Sequence, residues 1–141
     1  MKKLFFNLLL FCFIFFTTNT CNAITNSYDQ YGRKTGSYKQ TDTEINKYNQ
    51  YGQKTGSYRK TSSGYNEYDK YGRKTGSFKE TSNGYNAYDQ YGRKTGSYKT
   101  GSNGVTTKYD QYGRKVGSFK KDSSGRVTEY DRYGRKVGSY K

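Results

Sequence analysis

The chain has 141 residues, with 26 Lys or Arg against 11 Asp or Glu, a formal charge of +15, and no histidine, proline or tryptophan. Beyond residue 23 there is also no cysteine, leucine or methionine, and the only large aliphatics are Ile24, Ile45, Val105, Val116, Val127 and Val137. That excludes an ordinary aliphatic core, and it excludes Ser-His, Cys-His and thiolate or imidazole zinc chemistry from this region.

The first element in chain order is a targeting segment. Met1-Lys2-Lys3 is a positive start, Leu4 to Phe16 is an apolar run broken only by Asn7 and Cys12, and the stretch from Thr17 is polar and ends at the small Ala23. This layout predicts a helical signal peptide over 1–23, removed after Ala23. The run is too short to span a bilayer as a helix, which takes about 20 residues. An acylated Cys21 is disfavoured, because Thr18-Asn19-Thr20 lacks the aliphatic and small residues of a lipoprotein site. Removing Lys2 and Lys3 with no acid takes the charge from +15 to +13.

The region 24–141 is an array of one small unit, Tyr-Asp-x-Tyr-Gly-Arg-Lys-Thr/Val-Gly-Ser-Tyr/Phe-Lys. Copies begin at Tyr28, Tyr48, Tyr68, Tyr88, Tyr109 and Tyr130, spaced 20, 20, 20, 21 and 21 residues apart. A fixed short period of this kind signals a repeat architecture. Low aliphatic content with high charge would by itself favour a disordered cationic chain. Against that stand 18 tyrosines with Phe78 and Phe119, which bury large areas while keeping a polar tip.

Each unit carries two turn signals. Asp69-Lys70-Tyr71-Gly72 has the Asp and Gly of a type I turn whose glycine needs positive φ and forms a bulge. The signal recurs at Asp29–Gly32, Asp89–Gly92, Asp110–Gly113 and Asp131–Gly134, with Asn49 replacing Asp in the second copy. The second signal is Ser62-Ser63-Gly64, Ser82-Asn83-Gly84, Ser102-Asn103-Gly104 and Ser123-Ser124-Gly125, read as tight hairpin turns. Thr41-Asp42-Thr43-Glu44 has lost its glycine and is expected to be the loosest turn. Between turns lie strand-length segments with no helical periodicity. The predicted fold is all-β, an antiparallel hairpin meander of at most twelve short strands forming an elongated or solenoid-like sheet. Strand alternation puts Lys94, Gly96 and Tyr98 on the better packing face, with Gly96 leaving a slot for a neighbouring tyrosine ring.

The last full unit, Gly125-Arg126-Val127-Thr128-Glu129-Tyr130-Asp131-Arg132-Tyr133-Gly134-Arg135, resembles the YD repeat of Rhs and related polymorphic-toxin proteins. The resemblance covers residues 28–141, with Asn49 and Gln53 departing from the pattern. It implies β-hairpins and a surface location. In that family the hairpins wind into a shell around a toxic domain, and six copies are expected to be too few to close one. The resemblance therefore does not imply toxin activity, and a truncated or accessory Rhs-type component is the alternative reading.

No enzyme is expected, and no cofactor, metal or small-molecule substrate. The recurrent Asp residues read as turn caps paired locally with Arg or Lys, since calcium needs several converging oxygens. The candidate site is the Gly-Arg-Lys step: Arg33 and Lys34, Arg73 and Lys74, Arg93 and Lys94, Arg114 and Lys115, Arg135 and Lys136. Stacked units would align these into a basic ladder beside tyrosines that tracks a polyanion. The bland alternative is a solubilising coat that also blunts sheet edges. The expected partners are anionic glycans and lipid headgroups of the cell envelope or extracellular space, with extracellular nucleic acid as a further polyanion and self-association through sheet edges. The expected role is structural or binding, in a secreted, periplasmic or cell-surface protein.

Overall fold

In the computed structural model, which describes residues 23–141, each repeat is one β-hairpin. The strands are β1 (Ile24–Asp29), β2 (Lys34–Gln40), β3 (Glu44–Asn49), β4 (Lys54–Thr61), β5 (Gly64–Asp69), β6 (Lys74–Thr81), β7 (Gly84–Asp89), β8 (Lys94–Thr100), β9 (Thr106–Asp110), β10 (Lys115–Lys121), β11 (Val127–Asp131) and β12 (Lys136–Tyr140). The signal peptide predicted over 1–23 lies outside the described residues except for Ala23.

The antiparallel meander does not stay open. β12 pairs with β1, Ser27 opposite Tyr140 and Asp29 opposite Gly138, and all twelve strands form one closed barrel. Asn26 and Lys141 exchange two further backbone hydrogen bonds, of 2.7 and 3.0 Å, across the seam. This corrects the elongated or solenoid-like sheet, and the six units do close, on themselves. Self-association through sheet edges loses its basis as well, because closure leaves no open edge among the described strands.

The cause of closure recurs once per hairpin. The register shifts between Ser27 and Tyr28, Lys47 and Tyr48, Glu67 and Tyr68, Ala87 and Tyr88, Lys115 and Gly117, and Glu129 and Tyr130. A bulge bends its strand and increases the local twist. Six equivalent bulges bend the sheet the same way each time, and the bends add up to a closed wall.

The Asp-x-Tyr-Gly turns form as expected. In the first, the Gly32 N–H donates to the Asp29 carbonyl at 3.1 Å and Gly32 has φ +81°. The Asp29 N–H reaches the Arg33 carbonyl at 2.9 Å, and Asp29 Oδ1 accepts the N–H groups of Tyr31 and Arg33, both at 2.9 Å. We predict that Gly72→Val costs about 1–3 kcal/mol, because φ +80° is strained for a β-branched residue although nothing crowds the site. Gly101→Val should cost less, since its backbone is not left-handed and the nearest atom to the new Cβ is the Asn103 side-chain oxygen at 3.0 Å, which can turn away. Thermal midpoints of the two variants check this, and equal losses would refute it.

The turns at the opposite end divide into two kinds. Ser62-Ser63 and Ser82-Asn83 are two-residue turns, with Gly64 and Gly84 already in the following strand. A Cβ at Gly84 would lie 2.0 Å from the Tyr98 carbonyl oxygen, so this glycine serves a close backbone approach rather than the turn centre. Residues 101–105 and 122–126 instead repeat the bulged type I motif, with Gly104 at φ +73° and Gly125 at +83°. Those longer turns account for the 21-residue spacings. The glycine-free turn is tied by Thr41, whose hydroxyl donates to the Glu44 carbonyl at 2.9 Å and accepts its N–H at 3.2 Å.

The lumen is the core. Tyr38, Tyr58, Phe78, Tyr98, Phe119 and Tyr140 project inward from the even strands, joined by Ile45, Tyr85, Ala87 and Val127. Gly96 and Tyr98 are buried as expected, but Lys94 is exposed, because the bulge intervenes between it and Gly96. No ring occupies the place of a Gly96 side chain: a Cβ there would meet the Tyr109 carbonyl oxygen at 2.5 Å. The outer wall carries Ser, Asn, Lys and Arg, with Arg59 4.8 Å above the Tyr68 ring and Lys79 5.3 Å above Tyr88.

Candidate binding rim and charged lumen

All six Asp/Asn-x-Tyr-Gly turns lie at one end of the barrel, because each joins the two strands of one hairpin. The predicted basic positions therefore form a ring around a rim. Arg33, Arg73, Arg93, Arg114 and Arg135 stand in the turns, and Lys34, Lys74, Lys94, Lys115 and Lys136 begin the strands that follow. The rim tyrosines Tyr31, Tyr51, Tyr71, Tyr91, Tyr112 and Tyr133 are exposed by 68–77%.

Each rim arginine has two fixed neighbours. Its Nε donates to the Asp Oδ2 of its own turn at 2.7–2.8 Å. Its guanidinium carbon lies 5.1–5.3 Å from the centroid of the turn tyrosine. The expected local pairing of Asp with a cation is thus present. The Arg33 backbone N–H, and then its guanidinium, hold the Asp29 carboxyl below the usual range, and Asp110 and Asp131 have the same arrangement. Such exposed pairs contribute little to stability. Their effect is to hold the guanidinium, itself largely exposed, within cation–π distance of the ring.

The second hairpin carries the exception that explains the rule. Asn49 replaces Asp and Gln53 replaces Arg in the same unit, and Asn49 Nδ2 donates to Gln53 Oε1 at 2.8 Å. Asn49 Oδ1 still caps the Tyr51 and Gln53 N–H groups at 3.0 Å. The charged pair has been exchanged for a neutral one of the same geometry. Each Arg that follows the turn glycine is therefore matched to its own Asp, and the excess rim charge resides in the lysines and Arg132.

The lumen holds charges that the repeat pattern obscured. The residue before each Tyr-Asp/Asn step is Ser27, Lys47, Glu67, Ala87, Lys108 and Glu129 in turn. It is the variable position of a strict repeat, and it pairs across the wall with an inward glycine on one side: Gly36, Gly56, Gly76, Gly96, Gly117 and Gly138. Its variability was the one sequence signal available. Glu67 Oε1 accepts the Tyr58 O–H at 2.7 Å, while Oε2 is buried without a hydrogen bond. Glu129 accepts the Tyr140 O–H. Burial raises the Glu67 carboxyl above its usual range, with Tyr58, Lys47 and Thr75 pulling the other way. It raises Glu129 likewise and lowers Lys47 and Lys108, each opposed by the facing carboxylate.

No protein-family model, curated protein or solved structure matches the chain. Among the described residues no group of three or more Asp and Glu side chains is placed to hold a metal ion.

Proposed function

We propose that the protein is a secreted or envelope-associated binding module whose rim engages anionic polymers. The observation that supports this reading is the ring of arginines, each within cation–π distance of an exposed tyrosine and flanked by lysine. Guanidinium groups held beside rings present N–H donors suited to sulfate, phosphate and carboxylate groups. The rim is convergent, unlike a linear ladder, so it favours a polymer end or a bent chain over an extended one. The likeness to YD repeats is in keeping with the hairpin unit. A role as a shell is disfavoured, since the barrel is filled by its own side chains.

Heparin affinity of the exported protein tests the proposal. It should fall steeply with salt, because each neutralised anion releases counterions. The decisive variant copies the second hairpin into three others: Asp69→Asn with Arg73→Gln, Asp89→Asn with Arg93→Gln, and Asp110→Asn with Arg114→Gln. It keeps the turn geometry and the net charge, and we predict about a tenfold loss of affinity from three weakened charge contacts. The comparison variant, Lys39, Lys60 and Lys121 each changed to Gln, lowers the charge by three and should lose less. Unchanged affinity in the paired variant would mean a diffuse basic coat and end the rim proposal.

A further inference from the structure

The layer of long side chains in the lumen is interrupted at Ser27, whose neighbouring strands present the inward glycines Gly36 and Gly138. Beside them lies a cavity of about 650 Å3. That volume falls within the roughly 300–1,000 Å3 of small-molecule sites. Its wall is largely apolar, with Tyr38, Tyr140 and Val137 in it, and it reaches the rim at Asn49, Gln50 and Tyr51.

The wall asks for no counter-charge. Three charged side chains touch the cavity, Asp29, Lys47 and Glu129, and each has a partner outside it. Asp29 takes the Arg33 guanidinium at 2.7 Å. Lys47 is drawn to the Glu67 carboxylate, and Glu129 to the Lys108 ammonium while it accepts the Tyr140 O–H. A charged ligand would give up its hydration here and find the opposite charges already engaged, which is costly. An uncharged ligand meets no such penalty.

The mouth is neutral too. It belongs to the second hairpin, whose turn carries Asn49 and Gln53 in place of Asp and Arg. In the other five turns an arginine lies 5.1–5.3 Å from the centroid of the tyrosine. Tyr51, exposed by 77%, has no cation over its ring among the described residues. The rim ring left bare is thus the one that lines the cavity. A wall of tyrosine rings favours an aromatic occupant, through offset-stacked and edge-to-face contacts.

We propose that this cavity binds a small uncharged aromatic molecule, its inner end between Tyr38, Tyr140 and Val137 and its outer end against the bare Tyr51 ring. The site is separate from the polyanion-binding rim and does not rest on that reading.

Fluorescence titration of the whole protein with N-phenyl-1-naphthylamine, an uncharged probe whose emission rises in apolar surroundings, tests this. The probe should bind with 1:1 stoichiometry. 8-Anilinonaphthalene-1-sulfonate has the same ring skeleton with a negative charge added. It should enter the cavity at least about tenfold more weakly, although the net charge of the chain is positive, because its sulfonate meets no unengaged cation there. At neutral pH 2-naphthol should displace the probe, and 1-decanol should do so much less well. Ser27→Leu, which fills the cavity, should abolish binding with the strand circular dichroism intact. Asn49→Asp with Gln53→Arg restores the turn that the other five hairpins already fold, so it keeps the test decisive should Ser27→Leu not fold. Its arginine should cover the Tyr51 ring and weaken probe binding about three- to tenfold, the worth of one aromatic contact. Absence of binding at micromolar probe, or a sulfonate bound as tightly as the amine at a site that Ser27→Leu removes, would overturn the proposal. So would displacement by 1-decanol as ready as by 2-naphthol, or a probe affinity unmoved by both substitutions.

Discussion

Raising the pH from about 9 to about 12 is expected to unfold the barrel steeply, because its core is made of ionisable side chains. Burial lifts the hydroxyls of Tyr58, Tyr85 and Tyr98 far above the ordinary tyrosine range, and that of Tyr65 to about 12. Each is an acid whose folded pKa exceeds its unfolded value. Between the two values the native state holds more protons than the unfolded chain, so stability falls as pH rises. Tyr58 and Tyr98, 1% and 2% exposed, each remove up to about 1.4 kcal/mol per pH unit in that window. Tyr65 and Tyr85 add to the slope. Lys47 and Lys108, with lowered values, act oppositely only up to their ordinary pKa, so the fall steepens above it.

Tyrosinate absorbance and strand circular dichroism recorded on the same samples check this. The core tyrosines should ionise together with the loss of the strand signal. Tyr98→Phe should move the midpoint upward, whereas the exposed Tyr71→Phe should not. Core ionisation with the strand signal preserved would refute the account. The acid limb should be shallow by comparison. The rim Asp groups, with lowered values, lose their contribution as pH falls through them, while Glu67 and Glu129, with raised values, gain theirs on becoming neutral.

What was legible in the sequence was local. An Asp with a Gly three residues on encodes its turn through two side-chain hydrogen bonds and one positive φ, and these features need no knowledge of distant residues. Strand count and the inward placement of Gly96 and Tyr98 followed from turns and alternation. Closure did not follow, because it depends on the sum of six bulges within the strands, which, unlike the glycine bulge of each turn, leave no composition signal of their own. The candidate arginines were found as a set, but a linear stack was inferred where the closed wall makes a ring. Lys47, Glu67, Lys108 and Glu129 escaped notice for a related reason. In an open sheet their position would face water, and charge there is ordinary; only the closed wall makes it a lumen.

Tyr58 is where packing and the lumen charges meet, and its substitutions should separate them. The ring is 1% exposed and lies 6.3 Å from Phe78, centroid to centroid. Tyr58→Ala should cost about 3–5 kcal/mol, the penalty of emptying a large aromatic site, and leave little folded protein. Tyr58→Phe keeps the volume and removes only the O–H that bonds Glu67 Oε1 at 2.7 Å. That carboxylate would keep only the Thr75 hydroxyl beside it, and a loss of about 1–3 kcal/mol is expected at neutral pH. Glu67→Leu removes the buried charge itself, so Tyr58→Phe should cost far less in that background. A coupling of about 0.5–3 kcal/mol in the double-mutant cycle, measured by denaturant unfolding, is the expected result. Additive losses would mean that the Tyr58 hydroxyl acts independently of Glu67 and that the charged layer is not held by the ring of tyrosines beside it.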